Sequence, residues 1–136
     1  MKGRNILDTN RLKALISFDV MDTNPEAIYD EITTLAASIC NTPTSLISFV
    51  DDKRQFFKSR HGLDSKGTPI EDSFCKHVII DDTNLLVVEN TLVDKRFKNN
   101  KLVTGEPNIG FYAGASLTTE DGHRLGTLCV IDYESR

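Results

Sequence analysis

The chain has 136 residues, of which 39% are apolar and 26% charged, the balance of one globular domain and not of a disordered chain. With 20 acidic residues against 16 basic ones the formal net charge is −4, which argues against nucleic acid or an anionic membrane as a partner. No apolar run reaches the roughly 20 residues of a membrane helix, no apolar stretch follows the charged N-terminus to make a secretion signal, and Cys40, Cys75 and Cys129 form neither a CxxC pair nor an even disulfide set, so a reducing cytoplasm is the expected setting.

Residues 4–18 place Ile6, Leu7, Leu12, Leu15 and Ile16 at helical spacing and predict an amphipathic lead-in helix. Residues 1–20 are read as this lead-in and 21–136 as the domain proper. Asp22-Thr23-Asn24-Pro25 then supplies a stop and a start, with Thr23 or Asn24 as cap and Pro25 at the first helical position. Behind it Ile28, Ile32, Leu35, Ala36 and Ile39 fall on one stripe, which predicts a helix with that face buried, ending near Asn41-Thr42-Pro43. Residues 45–50 and 54–60 read as a β-hairpin about Asp51-Asp52-Lys53. Residues 61–69 read as a polar loop, and Ser73 as the cap of a short helix through about Ile80. Residues 85–88 form a short apolar strand. Residues 91–107 are long, irregular and poor in apolar side chains, and loops of that length are often functional. Residues 109–117 alternate in polarity, Asp121-Gly122 offers a turn, and 125–131 return as a strand, which predicts an antiparallel pair central in the sheet. The basic runs Lys53, Arg54, Lys58, Arg60 and Lys95, Arg96, Lys98, Lys101 read as solvated faces.

Four stretches together resemble the GAF domains of bacterial signalling proteins. They are Leu46-Ile47-Ser48-Phe49-Val50-Asp51 with Arg54-Gln55-Phe56-Phe57-Lys58-Ser59; Ser73-Phe74-Cys75-Lys76-His77; Asp94-Lys95-Arg96-Phe97 through Val103-Thr104-Gly105; and Phe111-Tyr112-Ala113-Gly114-Ala115 with Leu125-Gly126-Thr127-Leu128-Cys129-Val130-Ile131-Asp132. The resemblance runs from about Arg11 to Arg136. It implies an α+β fold, an antiparallel sheet of five or six strands with helices on both faces, GAF/PAS-like. It also implies an N-terminal sensory role, in a longer protein, ahead of an output domain such as a histidine kinase or a GGDEF/EAL cyclic-di-GMP module. Members bind small molecules or pair as homodimers, and here the 4–18 helix is the expected pairing element. Gly110 stands where the subgroup usually has arginine, and Ser116 where it usually has proline. Lys76 separates Cys75 from His77, against the adjacent pair that attaches a bilin, and the cyclic-nucleotide NKFDE signature is absent.

The expected ligand site is a cavity bounded by Phe74, Cys75 and His77 on the short helix, Asp94, Arg96 and Phe97 on the long segment, and Phe111 on the sheet. Arg96 is the only arginine of that segment and favours a carboxylate or phosphate, while Asp94 competes for it, so the expected ligand is a neutral or weakly anionic metabolite. No cofactor, metal or catalytic residue is expected. Cys75 near a helix start can be activated, but the buried structural thiol is the favoured reading. Two alternatives stand beside the sensor: a purely structural dimerisation module, and an enzyme of the free methionine sulfoxide reductase type, also built on this fold. The latter needs cysteines clustered at the pocket, whereas Cys40, Cys75 and Cys129 lie in a helix, a helix start and a strand.

Overall fold

The computed structural model describes residues 5–81 and 83–136; Arg4, where the lead-in helix was expected to begin, lies outside them. The elements are α1 (Thr9–Phe18), α2 (Ala27–Cys40), β1 (Thr44–Val50), β2 (Arg54–His61), β3 (Gly67–Pro69), α3 (Cys75–Ile80), β4 (Leu85–Val88), α4 (Lys101–Thr104), β5 (Phe111–Thr118) and β6 (Arg124–Asp132). The strands form one antiparallel sheet in the order β3-β2-β1-β6-β5-β4. The fold is therefore α+β with six strands. The expected β5–β6 pairing holds, from Phe111 opposite Asp132 to Thr118 opposite Arg124. The stretch read as a polar loop after His61 contributes β3, which pairs with Arg54–Phe56.

All seven residues of β1 are buried. Leu46 and Val50 join the cluster that carries α3, with Phe74, Cys75, Val78 and Ile79. Ile47 and Phe49 join Leu15 of α1 and Leu125. Helices thus cover both faces, and strand parity decides which side each residue serves.

α1 is seated by Arg11, which is 2% exposed. Its guanidinium donates to Ile6 O, to Val50 O at 2.7 Å and to Arg124 O at 3.1 Å. Burial lowers its pKa, opposed by Asp51, yet an arginine keeps its charge in any folded protein. A helix read as merely amphipathic is thus held by a buried cation on carbonyls at the ends of β1 and β6.

α2 departs from its predicted orientation. Ile28, Ile32, Leu35 and Ile39 are 65%, 42%, 59% and 73% exposed, while Thr33 and Ala37 are buried. The cause lies in β2. Its register against β1 shifts between Ile47 and Ser48, so that Phe57 pairs with Ser48 but Ser59 with Ile47. This bulge turns Lys58 and Ser59 together toward the helix layer. Both need polar partners when buried. The Ser59 hydroxyl donates to Asp30 at 2.6 Å and lies 2.8 Å from Thr33 Oγ1. Lys58 Nζ, expected on a solvated face, is buried on Thr23 Oγ1 (2.7 Å), Asn24 O (2.6 Å) and Glu26 (2.6 Å). Thr23 and Asn24 are spent on Lys58 and do not cap α2, which starts beyond Glu26 without a side-chain cap.

Replacing Arg11 by alanine leaves four strand and loop carbonyls, those of Ile6, Val50, Asp51 and Arg124, without their donor. The expected loss of unfolding free energy is about 3 kcal/mol, measured by urea denaturation; a loss below about 1 kcal/mol would show that α1 is held by Leu15 alone.

Candidate functional site

The cavity lies on the α3 face of the sheet. Its volume is about 60 Å³ and its wall is almost wholly apolar. Phe74 and Cys75 at the start of α3, Tyr112 from β5 and Cys129 from β6 form its floor, and the less buried Leu63, Leu102 and Pro107 stand toward its mouth. Ser73 sets the start of α3: its hydroxyl accepts from the Lys76 N–H at 3.1 Å and donates to Gln55 Oε1 at 2.8 Å.

Of the residues expected at a ligand site, Phe74 and Cys75 line this cavity. His77, Asp94, Arg96, Phe97 and Phe111 are not among its lining residues. Five of the seven nevertheless meet. The Phe74 and Phe97 rings stack at 4.1 Å with 10° between planes, His77 meets Phe97 edge-on at 4.9 Å, and the Arg96 guanidinium lies 5.2 Å from the Phe97 centroid. Arg96 binds Asp94 at 2.9 Å and Asp81 at 3.5 Å. Its hydrogen bond holds Asp94 below the usual carboxylate range and raises its own pKa. Burial pushes the His77 imidazole down, so it favours the neutral form. These groups latch the 91–107 segment to α3. That segment is also better held than its composition suggests, because Thr91, Phe97 and Val103 are buried and Thr91 Oγ1 donates to Ile109 O at 2.6 Å.

Phe111 sits apart because of strand parity. Tyr112 and Gly114 pair with Ile131 and Cys129 on the cavity face, which turns Phe111 to the other face, where its ring lies 5.8 Å from the Arg136 guanidinium. Tyr112, and not Phe111, is the β5 aromatic in the cavity wall. Gly114 makes room for it: a Cβ there would lie 2.3 Å from the Tyr112 hydroxyl. At Gly110, a Cβ would meet the Glu134 backbone at 2.8 Å, so a side chain there requires that backbone to move.

The cavity floor holds a cluster of polar atoms. Thr127 Oγ1 donates to Cys75 Sγ at 2.9 Å, and the Tyr112 hydroxyl lies 3.3 Å from the same sulfur. The Ser48 hydroxyl, fully buried, is without a hydrogen-bond partner of normal geometry among the described residues and faces Cys75. The Cys129 thiol completes the ring. Hydrogen bonding from Cys129, then from Thr127, Tyr112 and Ser48, overcomes burial and brings Cys75 down to about 6. Cys129 is driven well above its ordinary value, first by its bond to Cys75 and then by burial. Burial, and then charge on Cys75, pushes the Tyr112 phenol up, so it stays a neutral donor. The expectation of three scattered cysteines is corrected: strand β6 carries Cys129 to the start of α3, and only Cys40 lies apart, exposed. Among the described residues no cluster of three or more His, Cys, Asp or Glu is placed to hold a metal ion, and no helix is long and apolar enough to cross a membrane.

The sequence profile of the GAF domain family matches residues 24–136. A cyclic di-GMP phosphodiesterase of Pseudomonas aeruginosa is 44% identical over 117 residues, 86% of this chain; the chain spans 20% of that relative's length. Among solved structures, the GAF domain of an Acinetobacter phosphoenolpyruvate-protein phosphotransferase superposes with a TM-score of 0.62 at 13% identity, covering 93% of this chain and 77% of that one. A type II free methionine-R-sulfoxide reductase from Thermoplasma acidophilum superposes with a TM-score of 0.64 at 7% identity, covering 89% and 79%. At such identities the superpositions speak for the fold alone.

The two buried thiols titrate as one unit. With Cys40 replaced by serine, ultraviolet thiolate absorbance should rise with a midpoint at about pH 6, by one thiolate per chain. The second thiolate should be missing at pH 9.0, since Cys129 is raised well above that value. Because the folded pKa of Cys75 is depressed, its ionisation stabilises the fold at high pH, and that share is lost as pH falls through about 6.

Proposed function

We propose that this chain, which belongs to the GAF domain family, is the regulatory sensory domain of a cyclic di-GMP signalling protein, binding a small molecule in the α3-face cavity and pairing through its helices. The observation that carries the reading is the cavity: an apolar chamber with a few convergent polar groups, roofed by a segment latched to α3. Sites of that composition suit small ligands. The 44% identical relative is a cyclic di-GMP phosphodiesterase, which favours an enzyme of cyclic di-GMP turnover over a kinase as the attached output. The wall selects a compact, largely uncharged ligand. Arg96 is paired twice on the latch, so its part is to hold the roof, and an anionic ligand would have to displace Asp94 or Asp81.

Pairing is supported by the outward stripe of α2, with Leu7 just before α1 and Ile16 and Phe18 of α1 also exposed at 61%, 75% and 59%. Exposed apolar groups of that extent mark interaction surfaces. A second copy of the chain could place the same stripe against itself about a two-fold axis.

Two measurements test this reading. In thermal unfolding against a panel of small neutral metabolites, a ligand at a hundredfold excess over its dissociation constant adds about 2.7 kcal/mol to stability. Leu63→Trp, at the cavity mouth, should abolish that shift without unfolding the domain; a shift that survives places the ligand elsewhere. For pairing, light scattering at micromolar concentration should give a dimer, and Ile32→Glu with Leu35→Glu should give a folded monomer. A wild-type monomer counts against helix pairing in this domain.

A further inference from the structure

We propose that Cys75 and Cys129 form a peroxide-reactive dithiol that closes to an intramolecular disulfide. This inference goes beyond the sensory reading and needs no bound metabolite. Three observations carry it. The two thiols are neighbours in the wall of one cavity, although 53 positions, 129 less 75 less one, separate them in sequence. The Cys75 sulfur accepts from Thr127 Oγ1 at 2.9 Å and lies 3.3 Å from the Tyr112 hydroxyl, which is placed to donate to it as well. A thiol needs no such donors; a thiolate does, because a buried anion requires hydrogen bonds. The Ser48 hydroxyl, with no other partner of normal geometry among the described residues, faces the same sulfur. The low pKa of Cys75 agrees with this geometry.

The cavity also sets which oxidant can reach the sulfur. Cys75 and Cys129 are 2% and 1% exposed, so access runs through the mouth beside Leu63 and Pro107. The nearly apolar wall favours entry of a small uncharged hydroperoxide over a charged disulfide such as oxidised glutathione.

In the first step the Cys75 thiolate attacks the terminal oxygen of the hydroperoxide. An S–O bond forms, the O–O bond breaks, and the leaving alkoxide or hydroxide takes a proton to depart as alcohol or water. The sulfur is oxidised by two electrons to a sulfenic acid and the peroxide is reduced. In the second step Cys129 loses its proton and its sulfur attacks that of Cys75. An S–S bond forms, the S–O bond breaks, and the hydroxide leaves with the proton as water. The sum is two thiols and one hydroperoxide to one disulfide, one alcohol or water, and one water.

The test uses the full chain with Cys40→Ser, to remove the exposed thiol, and limiting hydrogen peroxide. The expected product has lost two hydrogen masses, yields a cross-linked peptide joining Cys75 to Cys129, and returns to the starting mass with dithiothreitol. Adding Cys129→Ser should halt the reaction at one added oxygen on Cys75, trapped by dimedone. Thr127→Val, a near-isosteric change, should slow thiol loss about tenfold through one lost donor, with an unchanged circular dichroism spectrum. Should Thr127→Val fail to fold, Tyr112→Phe reads the same dependence. The proposal is overturned if the folded protein reacts no faster than the same chain in urea, if Cys129 takes the oxygen first, or if Cys75 accumulates two or three oxygens with Cys129 intact and no cross-link formed.

Discussion

The central strands β1 and β6 have no wet face, and everything else in the molecule answers to that. Where a strand is covered on both sides, each successive residue belongs to a different core. Leu46, Ser48 and Val50 look toward α3, as do their partners Thr127 and Cys129. Ile47 and Phe49 look toward α1. The two strands also approach closely: a Cβ at Gly126 would lie 1.8 Å from Ser48 O, so only glycine permits the pairing that brings Thr127 opposite Ser48. The polar floor of the cavity is a product of this register.

The two helix layers are attached by different physics. α3 is held by burial of Val78 and Ile79, both fully covered, and Arg124 extends the attachment by donating to Val78 O at 2.8 Å and to Thr83 O. On the opposite face, α2 is held by hydrogen bonds to Ser59 and lies beside the Lys58 that reaches Glu26. A polar attachment leaves the helix's apolar stripe outward. That exposed stripe makes sense in an assembly, where water is removed from it, and is costly in an isolated monomer.

The roof of the cavity combines firm and weak restraints. Phe97 is fully buried and stacks on Phe74, an aromatic contact worth about 1 kcal/mol beyond burial. The Arg96 pairs to Asp94 and Asp81 are about two-fifths exposed on the arginine side, and pairs so placed contribute at most about 1 kcal/mol. The roof is therefore anchored at Phe97 and Val103 and adjustable at its charged rim. An occupant or a covalent change below would be felt first where Phe74 passes directly from cavity floor to roof.

The sequence by itself determined most of the elements and the pairing within the two hairpins, while β3 and α4 fell in stretches that read as loop. The alternation from Ile109 to Leu117, the Asp121-Gly122 turn and the hairpin at Asp51 are local signals, and local signals survive without knowledge of neighbours. The Asp94–Arg96 pair was legible for the same reason, since two positions apart in a loop they cannot avoid each other. Parity and long-range contact were decided only by the tertiary structure. The bulge at Lys58 turned α2 through to its polar face, a choice that depends on β2 and not on α2's own stripe. Phe111 and Tyr112 are equally aromatic, and only pairing with Ile131 put Tyr112 over the cavity. Cys75 and Cys129 became neighbours because β6 runs beneath the start of α3, an encounter that no spacing along the chain encodes, since it is made by folding the sheet and packing the helix upon it.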